Sequence, residues 1–167
     1  MRINLGSGQR PFKGFVNVDA QARWNPDVVA DGQEYLATLE DNLVDLIVLH
    51  HIREHADCTD GAALIAACHR VIKPGGSLLV FVPDMRMLAQ GWLEGKISDQ
   101  IYMTNVYGAY QGDEADRHKW GLTAKMLEKE LLDAKFFPVL PFDWRKIEGA
   151  DIAGPAWWLM GQEGIKR

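Results

Sequence analysis

Apolar residues along the chain fall into two kinds of run. Arg2 to Leu5, Phe15 to Val18, Val28 to Ala30, Val44 to Leu49 and Ser77 to Val82 are short blocks closed by polar residues, glycine or proline. Such blocks read as strands, and the last two are apolar enough to be covered on both faces. The other kind has helical spacing. From Thr59 or Asp60, either a suitable N-cap, Leu64, Ile65, Cys68, Val71 and Ile72 recur on one face until Lys73-Pro74-Gly75-Gly76 stops the helix. Gln33 to Asn42 reads as a loop or one helical turn, and Met85 to Glu94 and Ile97 to Val106 read as helices. Thr123 caps a further helix through Ala134.

Strands joined by crossovers imply a parallel, doubly wound α/β sheet. The tail adds strand candidates at Phe136 to Leu140, resuming at Trp144, and at Trp157 to Gln162, expected as an antiparallel hairpin at the sheet edge. One link resists this pattern. Only nine residues, Gly6 to Gly14, join the first two strands, whereas a parallel crossover usually takes a dozen or more. Either its helix shrinks to about a turn or the two strands are not neighbours; Pro11 and Gly14 favour the tight link.

Composition narrows the classes. The 167 residues suit a single domain spanning 1–167, with 47% hydrophobic and 25% charged residues. A net charge of −5 without a basic stripe argues against nucleic acid as partner. Cys58 and Cys68 have no paired metal-ligand spacing, so no metal is expected, and Cys68 falls on an apolar helix face as a buried thiol. The apolar runs are far shorter than the ~18 residues of a membrane span, and no leader-like segment opens the chain, so a cytoplasmic protein is expected.

Candidate chemistry concentrates in Arg2 to Asp19, R-I-N-L-G-S-G-Q-R-P-F-K-G-F-V-N-V-D. Gly6 and Gly8 after a strand let the backbone approach a ligand. Asp19, closing the second strand, stands where a bound ribose would be held. Its removal is expected to weaken cofactor binding and barely change stability, as for an exposed strand-end residue; the other reading is a glycine turn followed by a solvated aspartate.

Three stretches carry a resemblance: N-L-G-S-G…G-F-V-N-V-D, then D-N-L-V-D-L-I-V-L-H-H-I-R-E-H, then H-R-V-I-K-P-G-G-S-L-L-V-F-V-P-D. In this order and spacing they resemble class I S-adenosylmethionine-dependent methyltransferases, specifically short predicted bacterial and phage-type members with an abbreviated first crossover. The later D-R-H-K-W-G-L-T, followed by a helix and Phe136-Phe137, is similar to the carboxyl-terminal half of that group.

The resemblance implies a Rossmann-like methyltransferase fold with S-adenosyl-L-methionine as cofactor. Asn4, Gly6, Ser7 and Gly8 would face its methionine part; Asn4 stands where the wider class usually has an acidic residue. Asp19 would take the ribose hydroxyls, Asp31 and Gly32 would lie by the adenine, and His50 and His51 would border the departing methyl group. Glu54 and His55 match a recurrent pair that more often organises the loop than does chemistry. A nicotinamide-binding reading is weaker, because its third glycine falls on Pro11 and the short link offers no helix end for a pyrophosphate.

For a hydroxyl acceptor a histidine base suits neutral pH. His51 and His118 are the candidates, with Asp116 third, and Tyr107, Tyr110 and Trp120 could shape an acceptor pocket or pin their loop. A small-molecule or glycan acceptor is expected, or a site completed by a second copy in a homo-oligomer. The alternatives are a macromolecule methyltransferase working with a partner and a cofactor-binding protein without turnover.

Overall fold

The computed structural model describes residues 1–110, 113–147, 149 and 157–167. Its strands are β1 (Arg2–Leu5), β2 (Val16–Asp19), β3 (Val28–Val29), β4 (Val44–His50), β5 (Ile72–Pro83), β6 (Phe136–Pro141) and β7 (Leu159–Lys166). The helices are α1 (Gly32–Ala37), α2 (Cys58–Val71), α3 (Met85–Leu93), α4 (Asp99–Tyr107) and α5 (Ala124–Asp133). One sheet runs in the order β3-β2-β1-β4-β5-β7-β6. The first five of these strands are parallel. β7 lies antiparallel to both β5 and β6. The fold is therefore Rossmann-like, with the antiparallel pair closing one edge.

Several boundaries differ from the sequence pattern. α2 starts two or three residues early because Asp57 is the cap, its Oδ1 accepting from the backbone N–H of Thr59 at 2.7 Å and Asp60 at 2.9 Å. Trp144 opens a 3-10 turn rather than resuming a strand. The last strand begins at Leu159, two residues later than the sequence pattern places it. Gly32 to Ala37 does form a short helix, capped by Asp31. The aromatic loop at 107–121 is described except at 111 and 112, which lie outside the described residues.

The two faces of the sheet are covered differently. Side chains alternate along a strand, so Ile47 and Leu49 of β4 and Leu78, Val80 and Val82 of β5 join one core, while Val48, Leu79 and Phe81 join the other. Helices cover the first core through Leu36 of α1, Leu64, Ile65 and Cys68 of α2, and Leu127 and Leu131 of α5. The second core is closed by Phe12, Phe15 and Ile147, with Phe142 and Trp144 packed against it.

Phe12 and Phe15 come from the short link. β1 and β2 pair as neighbours, Ile3 opposite Val16, with no helix between them. Two aromatic rings, set edge to face at 5.4 Å, replace the apolar stripe a crossover helix would supply. The link's backbone is satisfied by a buried side chain, as a helix-free segment requires. Asn17 Oδ1 accepts from Phe12 N at 2.7 Å and from Asn4 Nδ2 at 3.0 Å, and its Nδ2 donates to the Phe12 and Phe15 carbonyls and to Asp27. Asn4 also donates to the Arg10 carbonyl at 3.1 Å.

Candidate active site

The carboxyl ends of β1, β2, β3 and β4 open onto a cavity of about 740 Å³. The chain steps outward from β1 to β2 and β3, then returns to place β4 on the other side of β1. At such a reversal the loops diverge and leave a crevice. The volume is that of an ordinary cofactor or ligand site. Asn4, Gly6, Ser7, Gly8, Asp19, Asp31, Gly32, His50 and His51 all line it. His118 does not.

Gly6 follows β1 with φ +69°, and its N–H donates to the Val18 carbonyl at 2.7 Å. A side chain there would overlap Ile52, which follows β4, so the turns after β1 and β4 approach this closely only over a glycine. Gly8 has φ +50°, and its N–H donates to Asp19 Oδ2 at 2.8 Å. Asp19 Oδ1 accepts from Gln21 N, also at 2.8 Å. Asp19 is therefore half-buried and ties the glycine turn to the turn after β2. This corrects the expectation that Asp19 is an exposed residue whose removal barely changes stability, although each oxygen keeps a lone pair for a ligand. Asp31 likewise has two tasks: its Oδ1 caps α1 through Gln33 N and Glu34 N.

Asn4 lines the cavity but gives both amide protons to Arg10 and Asn17. Its position is fixed by the brace of the link. By contrast, three buried polar atoms of lining residues have no partner among the described residues: Ser7 Oγ, Gln21 Oε1 and His50 Nε2. Buried polar groups are nearly always paired, so these walls fit a polar cofactor with donors and acceptors of its own.

β4 ends in two histidines of different character. His50 is largely buried beside Phe81, and burial, followed by the charge near His51, pushes its pKa down to about 3. It stays neutral in ordinary buffers. His51 adopts φ +58°, which turns its ring out of line with the strand and edge-on to His50 at 4.7 Å. His51 Nδ1 lies 2.8 Å from Glu54 Oε1. Glu54 is buried; desolvation raises its pKa, but the His51 hydrogen bond and nearby histidine charge outweigh this and hold it below the usual value. An ionised carboxylate only accepts, so Nδ1 carries the proton and His51 Nε2 keeps a lone pair.

Glu54 is positioned from beneath. Neighbouring Arg53, fully buried, donates through Nε and Nη2 to Glu130 of α5 at 2.9 and 2.8 Å, and through Nη1 to the Ala56 carbonyl. Gly61 in the first turn of α2 leaves room for that guanidinium. His118 sits half-buried against His55, ring centroids 4.8 Å apart, with Nδ1 on the Asn105 carbonyl at 2.8 Å. Burial lowers its pKa. The later loop still reaches the cavity through Ala109, Ala115, Asp116 and Lys119, and Trp24 and Gln21 line it from the turn after β2. Sequence reading missed Gln21 and Trp24, because one polar and one aromatic residue in an unpatterned loop carry no spacing signal.

This arrangement, a helix-flanked parallel sheet with a glycine turn, strand-end carboxylates and a cavity at the strand reversal, defines the class I methyltransferase architecture. Residues 11–80 match the family model of the methyltransferase domain. Solved structures agree in fold. The chain is similar to a SAM-dependent methyltransferase from Archaeoglobus fulgidus, at 15% identity and TM-score 0.65, covering 99% of this chain and 85% of that one. It is similar to a Thermotoga maritima methyltransferase described as a possible histamine N-methyltransferase, at 15% identity and TM-score 0.61, covering 99% and 81%. A third is the Burkholderia thailandensis 1,6-didemethyltoxoflavin-N1-methyltransferase, solved with 1,6-didemethyltoxoflavin and S-adenosylhomocysteine, at 17% identity and TM-score 0.57, covering 99% and 70%. No curated protein matches the sequence. The methyltransferase-domain match over residues 11–80 and the fold shared with S-adenosylmethionine-dependent methyltransferases both agree with the resemblance seen in the sequence. Among the described residues no helix is long and apolar enough to cross a membrane.

Proposed function

We propose that the chain, acting as one domain, methylates a small-molecule or glycan acceptor, with His51 as the proton acceptor. The observation that carries this reading is the 2.8 Å contact between Nδ1 of His51, which lines the cavity, and buried, ionised Glu54 behind it. Gly6, Ser7 and Gly8 would hold the cofactor's amino-acid end, Asp19 its ribose, Asp31 and Gly32 its adenine side, and neutral His50 the wall near the sulfur. When bound, S-adenosylmethionine supplies a methyl group activated on a sulfonium.

His51 Nε2 would take the acceptor hydroxyl's proton as the oxygen–methyl bond forms, and Glu54 would stabilise the resulting imidazolium. Holding acceptor and methyl group in line is the larger part of the work, and the base adds roughly 10²–10⁴-fold. The small-molecule substrates named for the structural neighbours support an acceptor of that size.

The test is calorimetry with S-adenosylmethionine followed by an acceptor screen for S-adenosylhomocysteine release. His51→Ala is expected to lower turnover by about 10²–10⁴-fold while cofactor affinity holds. A variant that turns over at the parent rate removes His51 from the mechanism.

A further inference from the structure

At the rim of the cavity, which His55 lines, Glu54, His55 and His118 converge, one donor atom from each lying within 4.8 Å of the others. Glu54 and His55 come from the 3-10 turn after β4, and His118 from the loop before α5. His55 Nδ1 lies 3.1 Å from the Arg117 carbonyl, and His118 Nδ1 lies 2.8 Å from the Asn105 carbonyl. A carbonyl oxygen only accepts, so both Nδ1 atoms carry the proton and both Nε2 atoms keep a lone pair. Metal-binding histidines are held in this way, the other ring N–H fixed on a carbonyl that sets tautomer and orientation.

Glu54 supplies an independent sign. It is 3% exposed, its Oε1 is taken by His51, and its Oε2 is buried with no hydrogen-bond partner among the described residues. A buried carboxylate oxygen without a donor is costly. A cation satisfies it where no protein N–H does.

We propose that Glu54, His55 and His118 form a binding site for a divalent first-row cation of the zinc type, with His51 on the other oxygen of Glu54. Two imidazoles and one carboxylate suit Zn²⁺, Co²⁺ or Ni²⁺ better than Mg²⁺ or Ca²⁺, which want oxygen ligands throughout. Three protein ligands leave one tetrahedral position open. Bonds of about 2.0–2.2 Å require the donors to draw somewhat closer, a shift that falls to half-buried His55 and His118 while the Arg53–Glu130 pair keeps the turn in place. The cation would bridge the two loops that flank the acceptor end of the cavity. Sequence spacing gives no hint of it, since 62 residues separate His55 from Arg117, whose carbonyl orients it.

The experiment uses the full chain, freed of metal with a chelator and titrated with Co²⁺ and then Zn²⁺, without cofactor or acceptor. One cation per chain is expected, with visible Co²⁺ bands lost on Zn²⁺ addition and a higher melting temperature. Glu54→Gln and His118→Ala should each weaken binding more than about tenfold, whereas His69→Ala, which removes an imidazole packed on Phe136 instead, should not. Absence of binding by the unmodified chain at about 100 µM Co²⁺, weaker than any site in this class, overturns the proposal. Binding that survives both ligand substitutions overturns it equally. The titration of the unmodified chain decides even if a variant does not fold.

Discussion

The two faces of the sheet close the same problem by different means. On one, α2 lays Leu64, Ile65, Cys68 and Val71 against the strands, and its own backbone hydrogen bonds are internal. On the other, a helix-free link inserts Phe12 and Phe15 and gives its backbone bonds to Asn17. On the helical face Ile65, Cys68 and Val71 lie away from the cavity and only the helix starts, with Leu64, reach it; on the helix-free face the core-forming segment itself reaches it. Gly6, Gly8 and Phe12 of the link line the cavity beside Asn4 of β1, so the residues that replace a helix also shape the cavity wall. Binding and stability are therefore coupled throughout the helix-free link, and are independent on the other side only at deep core positions such as Ile65.

The sharpest test sets Phe12→Ala against Ile65→Ala. Each empties a buried site, and each should cost about 2–5 kcal/mol in urea unfolding, Phe12 toward the upper end. Phe12→Ala should also weaken S-adenosylmethionine in calorimetry, while Ile65→Ala should leave it unchanged. Equal affinity in both variants would remove the contrast between the faces.

Asp19→Ala probes the coupling at one residue. Losing a charge-assisted contact to a ribose should weaken the cofactor about 10–100-fold. Orphaning Gly8 N and Gln21 N should also cost about 1–3 kcal/mol. Full affinity with full stability would return Asp19 to a solvated turn.

A smaller effect is expected with pH. The His50 pKa of about 3 in the folded chain lies below the unfolded value near 6.5. Between these values the unfolded chain takes a proton that the folded chain refuses. The contribution of His50 is thus intact above about pH 6.5 and is lost as pH falls, by at most about 1.4 kcal/mol per pH unit. Unfolding compared at pH 7.5 and 5 should show a shallower loss for His50→Gln than for the parent; an unchanged slope removes His50 as the source.

The mildest probe concerns thiols. Cys68 lies in the helix-covered core, where burial raises its pKa to about 12, while Cys58 is exposed at the start of α2. An aromatic disulfide reagent should label one thiol in the native chain and two in urea. Rapid labelling of both would mean that this face opens readily.

The sequence by itself determined the elements and their class. Continuous apolar runs made β4 and the core of β5, helical spacing made α2 and α5, and the tail strands pair antiparallel, because periodicity is a property of neighbouring residues. The glycine pair and Asp19 also fell at strand ends from local pattern alone, and all the residues named for cofactor contact line one cavity. What the tertiary structure decided concerns partners far apart in sequence. Thr59 and Asp60 gave way to Asp57 as cap, since capping depends on backbone angles as well as residue type. β7 lies between β5 and β6, placing the last strand inside the edge rather than on it. Asn17 became the brace of a link that pattern could only mark as too short. His51 acquired its acidic partner through a left-handed backbone turn, and His118 met His55 and Glu54 only when the loop before α5 folded back across the end of β4. Hydrophobic pattern fixes which face of an element is buried; hydrogen-bond geometry between distant segments fixes which polar atoms meet.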